Sequence, residues 1–348
     1  MTKKKLIDVI LIRIVLIVLL VLCHSFAIYN GSWSMPNGIL NVPAYSWIAS
    51  LSFSFMLETF VFLSGYLFGF QVREKYNGNV NFQNTVLAKA KRLLIPCLVF
   101  SLIYFLCFKS IDVKIWKAQL YGVISGEGHL WFLPMLFWCF VFLFILEKLK
   151  IKGLYALCLC LIFSLLPVPT IPFRLSSSLY YFLFFYIGFY IQRNNINVDR
   201  SVSLKNILLC ASGYLLVFIL SKTILNFSQL QLFPNSVIIN KIALLLGANV
   251  LKIMYSAFGL AFIFMLCRYL LNSCNISINK SLIKLSGCCF GVYVFQQFIL
   301  NYIIYNDFFI STLGSYWLPW FAFLLALLGS IALSWATMKT KIGKFLIG

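Results

Sequence analysis

The stretch LIDVILIRIVLIVLLVLCHSFAIY, residues 6–29, decides the fold. Lys3, Lys4 and Lys5 precede it, and it stays apolar for longer than the roughly 20 residues a helix needs to cross the hydrocarbon of a bilayer. It is too long for the apolar region of a secretion signal and no small-x-small cleavage pattern follows, so it reads as an uncleaved first membrane span. The remainder of the chain repeats the pattern. Of 348 residues, 62% are hydrophobic and 18% aromatic, while Asp, Glu, Lys and Arg supply 10%, against about 25% in an ordinary soluble domain. That composition excludes a soluble enzyme, a disordered chain and any sizeable aqueous domain.

Nine further apolar runs are bounded by charge or turn residues: 46–70, 93–108, 130–146, 153–168, 177–192, 204–221, 250–271, 286–304 and 316–337. The expectation is an all-α polytopic membrane protein with about ten transmembrane helices and both termini cytoplasmic, forming one membrane-embedded domain over residues 1–348. Pro96, Pro134, Pro167 and Pro319 are expected near span ends, where a missing backbone donor costs little. Segment 227–249, with Pro234 and the short apolar piece Ile242–Leu246, reads as re-entrant or interfacial. Basic residues set the orientation. With the N-terminus inside, 20 of the 28 Lys and Arg fall in inner segments and 7 in outer ones, and Arg13 lies within the first span. This is the cytoplasmic bias that membrane topology imposes, and it accounts for the net charge of +20. Nucleic acid is not an expected partner, because the cations come in scattered twos and threes and form no stripe; membrane lipids are. The eleven cysteines show no CxxC pair and lie mostly inside apolar runs, as small core residues, so no metal is expected.

Ionisable groups at bilayer depth cost about 2.5–3.5 kcal/mol each on insertion scales and mark function. Three lie well inside the spans: Arg13, His24 and Glu58. Arg13 and His24 are separated by close to three helical turns, so they share a face at roughly 16 Å along the axis, Arg13 toward the cytoplasm and His24 toward the outside. Such a stripe can hold a long polar ligand with its anionic end in; equally, His24 can be a packing residue and Arg13 can snorkel to lipid phosphate. Glu58, about 18 Å from either end of the second span, is expected near the midplane with Arg13 or His24 as partner. His129, with Glu127, opens the fourth span in GEGHLWFLP on the same outer side as His24, as a base or ligand or as an interfacial residue beside a Trp belt. The uncharged outer loop YNGSWSMPNGILNVPAYSW, Tyr29 to Trp47, suits a saccharide or an aromatic belt. On the inner side, Lys89, Lys91 and Arg92 suit phosphates, or serve topology alone.

Five stretches in order resemble the acyltransferase-3 family of integral membrane acyltransferases, which modify bacterial surface glycans. They are the R-x10-H spacing from Arg13 to His24, FVFLSGYLFG (Phe60 to Gly69), KRLLIP (Lys91 to Pro96), HLWFLP (His129 to Pro134) and FGVYVFQQ (Phe290 to Gln297). The resemblance implies a multi-pass protein of the bacterial inner membrane that moves an acyl group, usually acetyl, from cytoplasmic acyl-CoA to a hydroxyl of a glycan or lipid-linked saccharide. His24 would be the essential catalytic residue and Arg13 its partner, with Lys89, Lys91 and Arg92 at the acyl-CoA, Glu58 orienting the stripe and His129 assisting on the acceptor side. The family's basic R-x-x-R pattern is Lys89-Ala90-Lys91-Arg92 here, which keeps the charge and loses one bidentate donor. The ninth span often carries a His where this chain has Gln296, and no catalytic role is expected there. No soluble domain is expected after the tenth span, so acceptor transfer would finish within the membrane. The number of copies is not set by the sequence, which is compatible with a homodimer. A transporter or flippase for a lipid-linked saccharide is the competing class, using the same charges as a pathway.

Overall fold

The computed structural model describes residues 2–76, 80–169, 171–226, 236–273 and 279–348. Among them the secondary structure is helical throughout, with no strand. The helices are α1 (Thr2–Ser25), α2 (Pro43–Phe53), α3 (Met56–Glu74), α4 (Phe82–Phe108), α5 (Trp116–Ser125), α6 (Phe132–Lys148), α7 (Gly153–Leu165), α8 (Leu175–Arg193), α9 (Leu204–Asn226), α10 (Val237–Ser273), α11 (Lys280–Ile304), α12 (Asp307–Thr337) and α13 (Lys341–Ile347). Every one of the ten expected segments is helical. Among the described residues, eight spans are long and apolar enough to cross a membrane: Ile7–Ser25, Pro43–Glu74, Phe82–Phe108, Gly128–Lys148, Leu204–Thr223, Asn240–Ser273, Lys280–Ile304 and Asp307–Thr337. The two remaining segments are α7, a shorter apolar helix, and α8, with which it packs. An all-α polytopic membrane fold follows.

Three sequence expectations are corrected. The second span is broken: α2 ends at Phe53, Ser54 and Phe55 form a turn, and Glu58 lies in the first turn of α3. Glu58 is therefore roughly 22 Å along α3 from Arg73 at its far end, and the position expected from a continuous helix does not hold. Pro96 and Pro319 lie inside α4 and α12, because both helices begin several polar residues before their apolar runs. The proposed re-entrant segment divides: 227–235 lies outside the described residues, and Ile242–Leu246 belongs to the early turns of α10, a continuous helix of 37 residues.

The helices gather into two compact units. The first comprises Met1–Met56, Ile95–Leu130 and Asn275–Gly348; the second comprises Leu57–Leu94 and Trp131–Cys274. In the first, α1 packs on α2, α11 and α12, and α11 lies along α12. Pro319 cannot donate to the carbonyl of Ser315 four residues back, and the Tyr29 hydroxyl donates to that carbonyl instead. Leu40 N–H donates to Ser315 Oγ at 2.7 Å and Tyr45 OH to the Tyr316 carbonyl at 3.1 Å, so the outer loop after α1 is tied down on the kinked start of α12, where Gly314 has φ +62°. In the second unit, α8 packs on α6 and α7, and α9 on α10.

The SGYLFG stretch builds a close helix crossing in the second unit. A Cβ on Gly65 would overlap the Phe185 carbonyl and one on Gly188 the Phe62 carbonyl, while one on Gly69 would stand 2.5 Å from the Phe189 carbonyl. Small residues four apart are how membrane helices bring backbones together without a hydrophobic driving force. Gly287 in α11 has open space at the same test. Gly65→Ala is expected to lower the melting temperature of detergent-solubilised protein, although Ala is favoured over Gly inside a helix by about 1 kcal/mol. Gly287→Ala is expected to leave it unchanged or raise it, and the pair measured side by side by thermal scanning checks the crossing.

Candidate functional site

The first unit holds His24, His129 and Arg13. His24 sits in the last turn of α1. The chain then turns back, with Trp33 N–H donating to the Ala27 carbonyl at 3.2 Å, and this places the Trp33 ring parallel to the His24 imidazole, 5.8 Å between centroids and 15° between planes. The His129 ring meets His24 edge-on at 6.5 Å. Sequence spacing correctly put the two histidines on one side, and the structure brings them together.

Their bonding differs sharply. Each ring nitrogen of His129 faces an acceptor of α11, Nε2 the Val294 carbonyl at 3.0 Å, and donates to it when it carries the ring proton. Nδ1 lies 2.8 Å from Gln297 Oε1, which also accepts from His129 N–H at 3.2 Å. Tyr293 OH donates to the His129 carbonyl at 2.7 Å. Both ring nitrogens and both backbone polar groups of His129 are thus engaged by α11. The preceding Gly128 makes this approach possible: it has φ +55°, and a Cβ there would stand 2.9 Å from Gln297 Oε1. Beyond it, Asn301 bonds Tyr104 OH, Glu127 N–H donates to Ser101 Oγ at 3.0 Å, and Lys109 pairs with the Glu127 carboxylate.

His24 has none of this. Its Nδ1 is buried and makes no hydrogen bond of ordinary length among the described residues, and the same holds for Nε2 and Oε1 of Gln296, the side chain of α11 that comes nearest to hydrogen-bonding the His24 ring. Gln296 is wholly buried. Along α1, Arg13 lies roughly 16 Å below His24, within electrostatic reach of Cys289 on the same helix as Gln296. The in-phase stripe expected from the R-x10-H spacing therefore faces α11.

Glu58 and the basic triplet belong to the second unit. Glu58 is 2% exposed. Tyr180 OH donates to its Oε1 at 3.1 Å, Ser256 is hydrogen-bonded to it, and Lys252 is its neighbouring cation. The Lys252 ammonium stands 4.1 Å from the centre of the Tyr180 ring. The expectation that Arg13 or His24 pairs with Glu58 is thus corrected. It assumed an unbroken second span, and it took Lys252 for a flanking residue when Lys252 lies about ten residues beyond the first turn of α10. Lys89 points inward, its ammonium 4.6 Å from the centre of the Phe140 ring, while Lys91 and Arg92 are exposed. Nearby inner cations are bound to the protein: Arg73 donates to the Gln192 carbonyl at 2.7 Å and Asn195 Oδ1 at 2.9 Å, Arg193 pairs with Glu147, and Arg268 joins Asp199 at 2.7 Å and Tyr66 OH at 2.8 Å.

Sequence reasoning missed Trp33, Gln297, Tyr180 and Lys252, and it named Gln296 only to expect no catalytic role there. It also passed over Asp8, which is 3% exposed at the inner end of α1. The adjacent amides Gln296-Gln297 in the middle of an apolar run were a readable signal, which a search restricted to ionisable groups did not use.

The geometry thus presents one histidine locked by protein acceptors and a second, beside it, with an open ring nitrogen, on a helix that also carries an arginine at depth. No curated protein and no solved structure matches the chain. A family model does: that of the acyltransferase-3 acyltransferase domain matches residues 6–339, nearly the whole length. The chain belongs to this family, and it is a membrane acyltransferase.

Proposed function

We propose that the protein transfers an acyl group, acetyl first among candidates, from cytoplasmic acyl-CoA to a hydroxyl of a cell-envelope glycan or lipid-linked saccharide at the bacterial inner membrane. The observation that carries this reading is the open Nδ1 of His24, set beside a His129 whose ring nitrogens both face acceptors of α11. A general base needs an unshared lone pair within reach of the hydroxyl it deprotonates. His24 offers one; His129, with both ring nitrogens against acceptors of α11, serves as a positioning residue that fixes α11 against the edge of the His24 ring. The hydroxyl oxygen attacks the thioester carbonyl carbon as its proton passes to His24. The carbon–sulfur bond then breaks, and the CoA thiolate takes the proton back. Trp33, stacked on His24, holds the imidazole plane.

Arg13, Lys89, Lys91 and Arg92 are assigned to the anionic donor, as cations for which phosphate is a suitable partner. Glu58 is assigned to the stability of the second unit rather than to the reaction, since Tyr180, Ser256 and Lys252 account for its carboxylate. The broken second span favours a second reading, a transporter for a lipid-linked saccharide, because discontinuous helices line such pathways. Formation of an ester from labelled acyl-CoA separates the two.

The topology belongs to the same proposal: ten crossings with both ends in the cytoplasm. Its support is the basic bias of the inner segments and the pairing of α7 with α8, which leaves both ends on one side whether or not that pair crosses. A periplasmic-activity reporter fused after residue 169 is expected to be active and a cytoplasmic fluorescent reporter fused at Gly348 to fluoresce; an inactive reporter at 169 would reduce the count to eight.

Two substitution experiments address the chemistry and the buried carboxylate. In membranes from a strain lacking its own copy, His24→Ala is expected to lower transfer of label from acetyl-CoA into alkali-labile form in the glycan by about 10²–10⁴-fold, with expression and reporter topology intact. Retained transfer removes His24 from the mechanism. Glu58 is a buried carboxylate with Tyr180 and Ser256 as hydrogen-bond partners and Lys252 as its neighbouring cation, and leaving such a group uncompensated costs about 1–3 kcal/mol or more. Glu58→Leu or Lys252→Met alone should therefore lower the melting temperature strongly, and the double variant should recover much of the loss.

A further inference from the structure

Three buried side-chain atoms of the first unit make no hydrogen bond among the described residues, and all three lie where α1 faces α11: His24 Nδ1, Gln296 Nε2 and Gln296 Oε1. The surrounding polar groups are used. Gln297, the next residue, is spent on His129, Tyr293 on the His129 carbonyl, Tyr29 on the Ser315 carbonyl and Ser334 Oγ on the Cys288 carbonyl at 3.2 Å. A buried polar group left without a partner costs about 1–3 kcal/mol, so an amide with both ends unbonded, at 0% exposure, is an expensive residue for packing alone. Leu or Met would fill the same volume without that cost. What offsets the cost is an occupant that both donates and accepts beside an imidazole.

We propose that Gln296 is a catalytic residue whose amide N–H donates to the carbonyl oxygen of the acyl group while His24 takes the proton of the attacking hydroxyl. The inference rests on the acyl-transfer reading above. As the hydroxyl oxygen bonds to the carbonyl carbon, the carbonyl π pair moves onto oxygen and the charge that develops there is met by Gln296 Nε2. When the pair returns, the carbon–sulfur bond breaks and the thiolate leaves with the proton held by His24. The donor is preorganised by burial on a rigid helix and needs no rearrangement when charge appears, which is the condition under which such donors act most strongly.

The test uses isolated membranes, radiolabelled acetyl-CoA and the endogenous glycan, with turnover expressed per molecule of folded protein measured by size-exclusion chromatography. Gln296→Met, which keeps length and removes the donor, is expected to lower kcat by about 10²-fold with KM for acetyl-CoA changed by less than about twofold, the signature of a lost oxyanion donor. Gln296→Asn, which keeps the amide on a shorter stem, should retain part of the activity. Turnover of Gln296→Met within about threefold of wild type, or a rise in KM at unchanged kcat, overturns the assignment. If Gln296→Met does not fold, Gln296→Leu and Gln296→Asn are read by the same criteria, and Gln296→Asn no more active than an apolar variant that folds also overturns it. Wild-type membranes that incorporate no label overturn the acyl-transfer reading itself, an outcome distinct from the others.

Discussion

A bilayer supplies no hydrogen bonds, so each polar group that enters it must be met by another part of the chain. Most of the geometry around the candidate site follows from that constraint. Pro319 frees the Ser315 carbonyl, and the Tyr29 hydroxyl is drawn to it, which ties the loop after α1 to α12. That tie fixes the course of the chain from Ala27 to Trp33, and with it the ring stacked on His24. Arg268, 7% exposed, is met by Asp199, Tyr66 and the face of Phe264 at 4.5 Å. Lys252 and Glu58 answer each other across Tyr180.

Against this background the two histidines are informative as a pair. They have the same chemistry and nearly the same place, with centroids 6.5 Å apart. One has both ring nitrogens against acceptors of α11 and serves as a structural strut. The other retains an unbonded nitrogen facing an unbonded amide. A fold that satisfies its buried groups so consistently does not leave three such atoms together without a use, since the same volume in apolar side chains would be more stable. Function is read here from where the bonding stops.

The helices were legible because length and apolar composition alone place them, and ten of ten expected segments are helical. Their ends were not. α4 begins at Phe82, well before the apolar run from 93, because helix continues through polar turns outside the hydrocarbon, and this moved Pro96 from a supposed end into the interior. The break at Ser54–Phe55 carries no Gly or Pro, so nothing local announced it, and the depth computed for Glu58 failed with it. The R-x10-H spacing located Arg13 and His24 because charge at depth is rare enough to stand out. Gln296 carries no charge and was set aside as a departure from the family's His, although an amide in hydrocarbon is bound by the same rule.

The stretches that carry the family resemblance divide by task. SGYLFG supplies glycines against which α8 lays its carbonyls, and its Tyr66 holds Arg268; its work is packing. In HLWFLP, His129 is bonded to α11 through ring and backbone, so this stretch too is chiefly a joint. FGVYVFQQ does both, with Tyr293, Val294 and Gln297 holding His129 and Gln296 facing His24. Among the described residues of these stretches, His24 Nδ1 and the Gln296 amide are the buried polar atoms without a hydrogen bond. A residue shared across such a motif can therefore be indispensable for opposite reasons, and the difference lies in whether its hydrogen bonds are already made before any substrate arrives.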